Sequence, residues 1–198
     1  MILPIYPYGH PILRTETEPV AAVTPEFEAL LDDMIETMHN ASGIGLAAPQ
    51  VGRTERVFVA DLSAMADDIA DELGAVPDWA QGPLVFINPE IVDEDEDTLC
   101  DYEEGCLSIP DLRENVERPD VIRVRYRDRN FEEREIDAAS VLARVIQHET
   151  DHLHGVLFID HISPLRRRLL KRRLREISRG EAEADYPLAS PTGEPQSA

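Results

Sequence analysis

The sequence predicts an α+β fold in which small antiparallel β-sheets pack around a central helix, with another helix near the C-terminus. Three observations predict this class: the apolar runs that suit strands are short, one hairpin is clear between residues 121 and 136, and strands do not alternate regularly with helices. A length of 198 residues suits one hydrophobic core. We therefore expect a single domain over residues 1–180.

The first predicted helix runs from Pro25 to about Asn40. Thr24 is suited to cap it, and proline is favoured at the first helical position. Apolar residues then recur at helical spacing, namely Phe27, Leu30, Leu31, Met34, Ile35 and Met38. The glycines in the sequence Ser42-Gly-Ile-Gly45 end the helix and lead into a loop or extended segment over residues 46–50.

The central part of the chain predicts strands. Residues 57–60 and 84–87 are short apolar runs typical of buried strands, and we interpret the acidic connection over 61–83 as a surface loop without a functional role. Residues 121–127 alternate apolar residues with arginines, and residues 131–136 form a plausible return strand. The glutamates of that return strand are expected to face the arginines.

Two helices and a tail complete the prediction. The first helix spans about 138–153, with Asp137 as its cap and Gly155 as its left-handed stop. The second spans 163–179, and segment 163–180 carries eight basic residues and one acidic residue. Residues 181–198 are acidic, rich in proline and poor in bulky residues, so we expect a disordered tail.

Charge and composition restrict the classes of function. The net charge of −21 argues against general nucleic-acid binding, including DNA binding, because a phosphate backbone would be repelled. The chain has neither a basic leader with an apolar core nor a run of about 20 apolar residues, so we expect a cytoplasmic protein that makes no use of a membrane. Two cysteines are too few for a disulfide framework and fit a reducing compartment.

The sequence His148-Glu-Thr-Asp-His152 is the pattern that carries chemistry. Four residues correspond to about one helical turn, so both imidazoles project from one face of the predicted helix and can bind one metal ion, with Glu149 beside them. Val141 and Val145 continue this face towards the N-terminus. Two core histidines with ordinary hydrogen bonds are the alternative, but the intervening glutamate and the helical setting favour a metal site.

A catalytic metal site of this kind needs a third protein ligand and one open position. His154 lies only two residues after His152 and is turned off the helix face. Cys106, between a glycine and a nearby proline, is a candidate ligand in a strand or sharp bend. A small buried hydrophobic residue is an equal alternative for a free cysteine, and spacing alone does not choose between them.

Three segments resemble the signature motifs of the peptide deformylase family, in the order in which that family carries them. They are Gly43-Ile-Gly-Leu-Ala-Ala-Pro-Gln50, Glu104-Gly-Cys-Leu-Ser108 and Gln147-His-Glu-Thr-Asp-His152. The resemblance implies that Cys106, His148 and His152 bind the metal and that Glu149 is the acid and base. It also implies that Gln50 and the backbone N–H of Leu107 stabilise the oxyanion that forms during hydrolysis.

The same resemblance implies a groove for a formylated peptide. Small residues at Gly43 and Gly45 would let the peptide lie alongside as an added strand; a phosphate loop is a weak alternative, because neither phosphate-binding motif is complete. Glu104 is expected to pair with Arg113 and brace the Cys106 loop. Methionine specificity would come from an apolar pocket with His148 at its base, for which the candidates are Ile44, Tyr102, Val141 and Val145.

The implied activity removes the formyl group from N-formylmethionine of nascent polypeptides and releases formate. The implied cofactor is one divalent metal ion per chain, Fe(II) in the cell, with Zn(II), Ni(II) or Co(II) as alternatives in purified protein. Segment 163–180 is a candidate contact with ribosomal RNA. Two rivals stay open, a metallopeptidase of another family and a structural site closed by Cys100.

Overall fold

The computed structural model describes residues 1–193 and contains four α-helices and seven strands within that range. The helices are α1 (Pro25–Asn40), α2 (Ala66–Leu73), α3 (Ser140–Leu153) and α4 (Pro164–Ser178). The strands are β1 (Gly45–Ala47), β2 (Val57–Ala60), β3 (Leu84–Glu94), β4 (Leu99–Cys106), β5 (Ile109–Pro119), β6 (Val121–Arg127) and β7 (Glu133–Ala139).

Two antiparallel sheets enclose α3. The larger has the strand order β1-β2-β3-β6-β7, and β4 and β5 form a separate hairpin. Leu142 and Ile146 of α3 belong to the same core cluster as Phe58 and Phe86 of the larger sheet. The α+β class is therefore confirmed, with the motif helix at the centre.

Helix α1 begins and ends where the sequence predicts. The Thr24 side chain accepts a hydrogen bond from the Phe27 N–H at 3.2 Å. The apolar face of α1 is buried at Phe27, Leu31, Met34 and Met38. This face packs in one cluster with β1 and β2, and so supports the edge strand that reaches the site.

The predicted hairpin is confirmed as β6 and β7, and its glutamates face its arginines, as in the pair Arg127–Glu133.

The predicted start of the motif helix is wrong by two residues. Asp137 does not cap α3, because β7 continues through it and its carboxylate binds Arg123 at 2.7 Å. Gly155 does adopt the left-handed conformation, with φ of 69°.

The connection over 61–83 is more ordered than the predicted surface loop. It contains α2, and Ile69 and Ala80 are buried in the core cluster of α3. Its Met65 also lines the groove at the functional site. The apolar residues among the acidic ones explain the difference, because they are spaced to pack on the sheet.

The first part of the predicted tail also differs from the expected disorder. Pro187 accepts a hydrogen bond from the Ile5 N–H at 2.8 Å, and the Ala189 N–H donates to the Ile5 carbonyl at 2.9 Å. Leu188 thereby pairs with Ile5 in a parallel bridge. The end of the predicted tail, residues 194–198, lies outside the described residues.

None of the helices in residues 1–193 has the length and apolar character that crossing a membrane requires.

Candidate metal centre and active site

The β4–β5 hairpin brings a cysteine to the motif helix. Cys106 and Ile109 pair across the turn, so Leu107 and Ser108 are its two turn residues. The preceding Gly105 takes part in an irregularity of the strand register. The sharp turn points the Cys106 sulfur towards α3.

Cys106, His148 and His152 form one cluster. Their candidate ligand atoms lie within 4.8 Å of one another, and the Cys106 Sγ is 3.2 Å from the His152 Nε2. The two imidazoles come from successive turns of α3, with ring centroids 5.0 Å apart. The structure thus brings together the three residues that the sequence motifs single out as metal ligands.

The chemistry of this cluster fits a divalent cation. Burial opposes ionisation of the Cys106 thiol, but the charge of His152 and the hydrogen bond from His148 outweigh it and lower the pKa of the thiol to about 5. A thiolate with two imidazoles is a donor set for Zn(II) or Fe(II), and three protein ligands leave a fourth position open.

Glu149 lies beside the cluster with a free carboxylate oxygen. Its side chain is buried, and its Oε2 has no hydrogen-bond partner in the described part of the chain. Burial raises the pKa of Glu149 to about 7, against the opposing charges of His148 and His152. A buried carboxylate with an unused acceptor and a pKa near neutrality is suited to accept and return a proton.

Glu104 orients one of the metal-binding imidazoles. Its Oε2 lies 2.9 Å from the His148 Nδ1, which leaves the Nε2 of that ring for a metal. Arg118 and Arg144 bind the same carboxylate at 2.7 and 3.0 Å. Burial opposes ionisation of Glu104, but the hydrogen bonds from His148 and Arg118 and the charges of these two residues hold its pKa well below its usual range.

The predicted pair of Glu104 with Arg113 is wrong. Arg113 lies opposite Gly105 in the hairpin, and its guanidinium is 3.9 Å from the exposed Glu103. Side chains alternate between the faces of a strand, so Glu104 points inward while Glu103 points to solvent. The buried partner is Arg118, which the same alternation in β5 places on the inner face with Leu112 and Val116.

Gln50 lies close to Cys106 and Ser108, the residues on either side of Leu107. The Gln50 Oε1 accepts a hydrogen bond from the Ala47 N–H at 2.7 Å, which fixes the side-chain amide. Its Nε2 then lies 3.5 Å from the Cys106 Sγ and 3.4 Å from the Ser108 Oγ. These contacts are long, so the amide can donate to another acceptor in the groove.

A groove runs past the cluster and along β1. Gly45 lies so close to Glu149 that an added Cβ would be 2.3 Å from the Glu149 Oε1. Within residues 1–193, β1 is an edge strand of the larger sheet that pairs with β2, and its first residue, Gly45, lines the groove. The predicted substrate and catalytic residues that line the groove are Gly43, Ile44, Gly45, Gln50, Tyr102, Glu104, Leu107, Val141, Val145, His148 and Glu149.

Comparison with known proteins decides the family. The family model described as Polypeptide deformylase matches residues 2–168. The chain belongs to the polypeptide deformylase family. A peptide deformylase of Salinibacter ruber is 63% identical over 190 residues, which cover 96% of this chain and 95% of the relative. One from Chlorobium phaeovibrioides is 45% identical over 191 residues, covering 96% and 93%.

Solved deformylase structures share this fold. A crystal structure from Legionella pneumophila has a TM-score of 0.78 and 34% sequence identity, and the match covers 92% of this chain and 99% of that one. A structure from Ehrlichia chaffeensis in complex with actinonin has a TM-score of 0.78, 35% identity and the same coverage. The deformylase family is metal-dependent, and the Cys/His/His cluster can bind a metal ion.

A structural metal site closed by Cys100 does not fit this deformylase geometry. Cys100 is exposed and lies on the same extended strand as Cys106, six residues earlier. At roughly 3.3 Å per residue along a strand, the Cα atoms of Cys100 and Cys106 are about 20 Å apart. The ligand cluster found in residues 1–193 accordingly contains Cys106 but not Cys100.

Besides Arg118 and Met65, two parts of the deformylase site were not predicted from the sequence. Arg144 lies one turn before His148 on α3, and this spacing was an available signal for its contact with Glu104. The other part is segment 182–188, which lines the groove through Tyr186 and its neighbours. Its acidic, proline-containing composition gave no such signal.

Proposed function

We propose that this protein removes the formyl group from N-formylmethionine of nascent polypeptides and releases formate and a free amine. The observation that carries this proposal is the buried Glu149 carboxylate, with an unused oxygen, beside the Cys106, His148 and His152 cluster and the open edge of β1. Membership of the deformylase family supports the same reaction.

The proposed chemistry divides among a few groups. Cys106, His148 and His152 would hold one divalent ion, which supplies Lewis acidity when bound. Glu149 takes a proton from the attacking water, whose oxygen bonds to the formyl carbon. The C–N bond then breaks, and Glu149 returns the proton to the departing amine.

Negative charge that develops on the formyl oxygen needs hydrogen-bond donors. The Gln50 amide and the backbone N–H of Leu107 are our candidates, because Gln50 is held by the Ala47 N–H and its Nε2 makes only long contacts. Donors that are fixed before the reaction stabilise a developing charge without reorganisation.

The peptide is proposed to bind as an added strand along β1. Backbone hydrogen bonds recognise any sequence, which suits an enzyme that acts on many nascent chains. The methionine side chain would enter a pocket formed by Ile44, Tyr102, Val141 and Val145. Val145 is buried, whereas Ile44 and Tyr102 remain exposed at the groove and can close over a ligand.

Formate release tests the proposal against the metallopeptidase alternative. The metal-loaded protein is expected to release formate from formyl-Met-Ala-Ser and to leave its internal peptide bonds intact, as judged by mass spectrometry. The acetylated peptide of the same sequence is the matched control, and it should remain unchanged. Internal cleavage without formate would refute the proposed function.

We propose Fe(II) as the ion in the cell, with Zn(II), Ni(II) or Co(II) accepted in purified protein. Two imidazoles and a thiolate accept all four ions, and availability often decides which of them is bound. Metal analysis of protein purified without oxygen is expected to give about one iron per chain. Zinc at full occupancy in that preparation would contradict the assignment.

We further propose a cytoplasmic protein that docks on the ribosome through α4. The helix buries Leu174 and Ile177 against the body, while Arg168, Lys171 and Arg175 are exposed. A basic face on an otherwise acidic protein suits ribosomal RNA.

Replacing Arg168, Lys171 and Arg175 by glutamate should abolish co-sedimentation with ribosomes at low salt. Replacement of the exposed Arg123 and Arg125 on β6 is the control and should leave it intact. Unchanged co-sedimentation of the α4 variant would remove the proposal.

A further inference from the structure

The turn between β4 and β5 is held from several sides. Ser108 accepts a hydrogen bond from the Tyr8 N–H at 2.7 Å through its carbonyl, and its hydroxyl lies 3.4 Å from Gln50 Nε2. The Leu107 side chain packs so closely on Gly43 that a Cβ there would lie 2.8 Å from Leu107 Cδ1. The Leu107 carbonyl is the other backbone acceptor of this two-residue turn.

That carbonyl is bound by the C-terminal segment. The Tyr186 hydroxyl donates a hydrogen bond to the Leu107 oxygen at 2.8 Å. Tyr186 also lines the groove and packs against the core cluster of α1 and β1. Burial, together with the charges of Cys106 and Asp111, raises the pKa of its hydroxyl well above its usual range, so the hydroxyl keeps its proton and stays a donor.

The segment around Tyr186 is anchored independently of this hydrogen bond. Pro187 and Ala189, on its C-terminal side, are bound to both backbone groups of Ile5. The side chain of Leu188 packs in the same cluster as Tyr186. Tyr186 is therefore held in place by the backbone hydrogen bonds on either side of Leu188. It can accordingly restrain the turn between β4 and β5.

We propose that Tyr186 is a positioning residue for the Leu107 backbone, and thus that the C-terminal segment completes the oxyanion-binding side of the groove. This rests on the proposed function of the Leu107 N–H. With the Leu107 and Ser108 carbonyls both bound, rotation of the two-residue turn is restrained, and the orientation of the Leu107 N–H is restrained with it. The family match ends at residue 168, so this element lies beyond the part that the family model covers.

The first test removes only the hydroxyl, in the variant Tyr186→Phe. Loss of one hydrogen bond that fixes a donor is expected to lower kcat for formyl-Met-Ala-Ser about three- to tenfold, with KM within about twofold of the wild type. The control is Tyr126→Phe, which removes a half-buried hydroxyl from a tyrosine that does not line the groove. Its kinetic constants are expected to match those of the wild type.

The second test needs no activity. In metal-free protein, amide hydrogen exchange at Leu107, Ser108 and Ile109 is expected to be faster in Tyr186→Phe than in the wild type, and unchanged in Tyr126→Phe. This measurement tests the role of Tyr186 even if the wild type releases no formate, which would refute the proposed function alone.

Three outcomes would overturn the proposal. The first is unchanged exchange at the turn. The second is a raised KM at constant kcat, because Tyr186 would then be a substrate contact. The third is lost metal or faster exchange throughout the protein, because the tyrosine would then act on overall stability.

Discussion

The Glu104 carboxylate binds the His148 imidazole on one side and the guanidinium groups of Arg118 and Arg144 on the other. One buried anion thus fixes the direction of a metal-binding ring and pairs with two buried cations, of which Arg118 also binds Asp151 at 2.7 Å. The metal centre and the packing between α3 and the β4–β5 hairpin depend on the same side chain.

Glu104→Gln should therefore destabilise the metal-free protein and weaken metal binding. Removing one partner of a buried ion pair costs about 3–5 kcal/mol, because the remaining charges stay buried without compensation. Loss of the hydrogen bond to a liganding histidine typically lowers metal affinity about 10- to 100-fold. Urea unfolding and metal titration measure the two effects, and Glu103→Gln, at an exposed neighbour, is the control expected to change neither.

Glu149→Gln should abolish turnover and leave metal binding intact. The amide cannot accept the proton of the attacking water, so kcat is expected to fall roughly 10²-fold or more. Formate release and metal content should be measured on the same preparation. A variant that keeps its activity would show that another group moves the proton.

The two cysteines provide a matched test of the third ligand. Cys106→Ser is expected to lose most of the bound metal, since a hydroxyl is a much poorer ligand than a thiolate for these ions. Cys100→Ser changes an exposed residue on the same strand and should retain one ion per chain. Equal metal content in the two variants would exclude Cys106 as a ligand.

Gly45→Ala tests the close approach of β1 to the catalytic carboxylate. The added Cβ would lie 2.3 Å from the Glu149 Oε1, so Glu149 must move. We expect kcat to fall at least tenfold with metal content unchanged, because small displacements of catalytic groups reduce rates strongly. In the control Gly82→Ala, the added Cβ meets no atom within 4 Å, and activity should be unaffected.

Local sequence patterns were sufficient to predict some of the site residues. His148, Glu149 and His152 lie within two turns of one helix, so their common face follows from helical geometry alone. The N-terminal cap of α1 and the β6–β7 hairpin are equally local, and they were predicted correctly. The N-terminal boundary of α3 was placed wrongly, because strand pairing carried β7 through Asp137, and α2 within 61–83 was not predicted.

Local patterns could not predict contacts between residues that are far apart in the sequence. Cys106 could be assigned only through resemblance to the deformylase family, since its position depends on how the β4–β5 hairpin docks on α3. Glu104 was given the wrong partner for the same reason. Tyr186 was missed because the composition of its segment resembles a disordered chain, while its order comes from pairing with Ile5.

The bridge between Ile5 and Leu188 joins positions separated by almost the whole chain. Contacts of such high sequence separation close slowly, because much conformational entropy is lost before they form. The metal ligands and Glu149 can therefore assemble before the segment around Leu188 pairs with Ile5. Maturation of the active centre then ends with the C-terminal segment, and a protease that cuts at the exposed Glu183 would sever the covalent connection between that segment and α4.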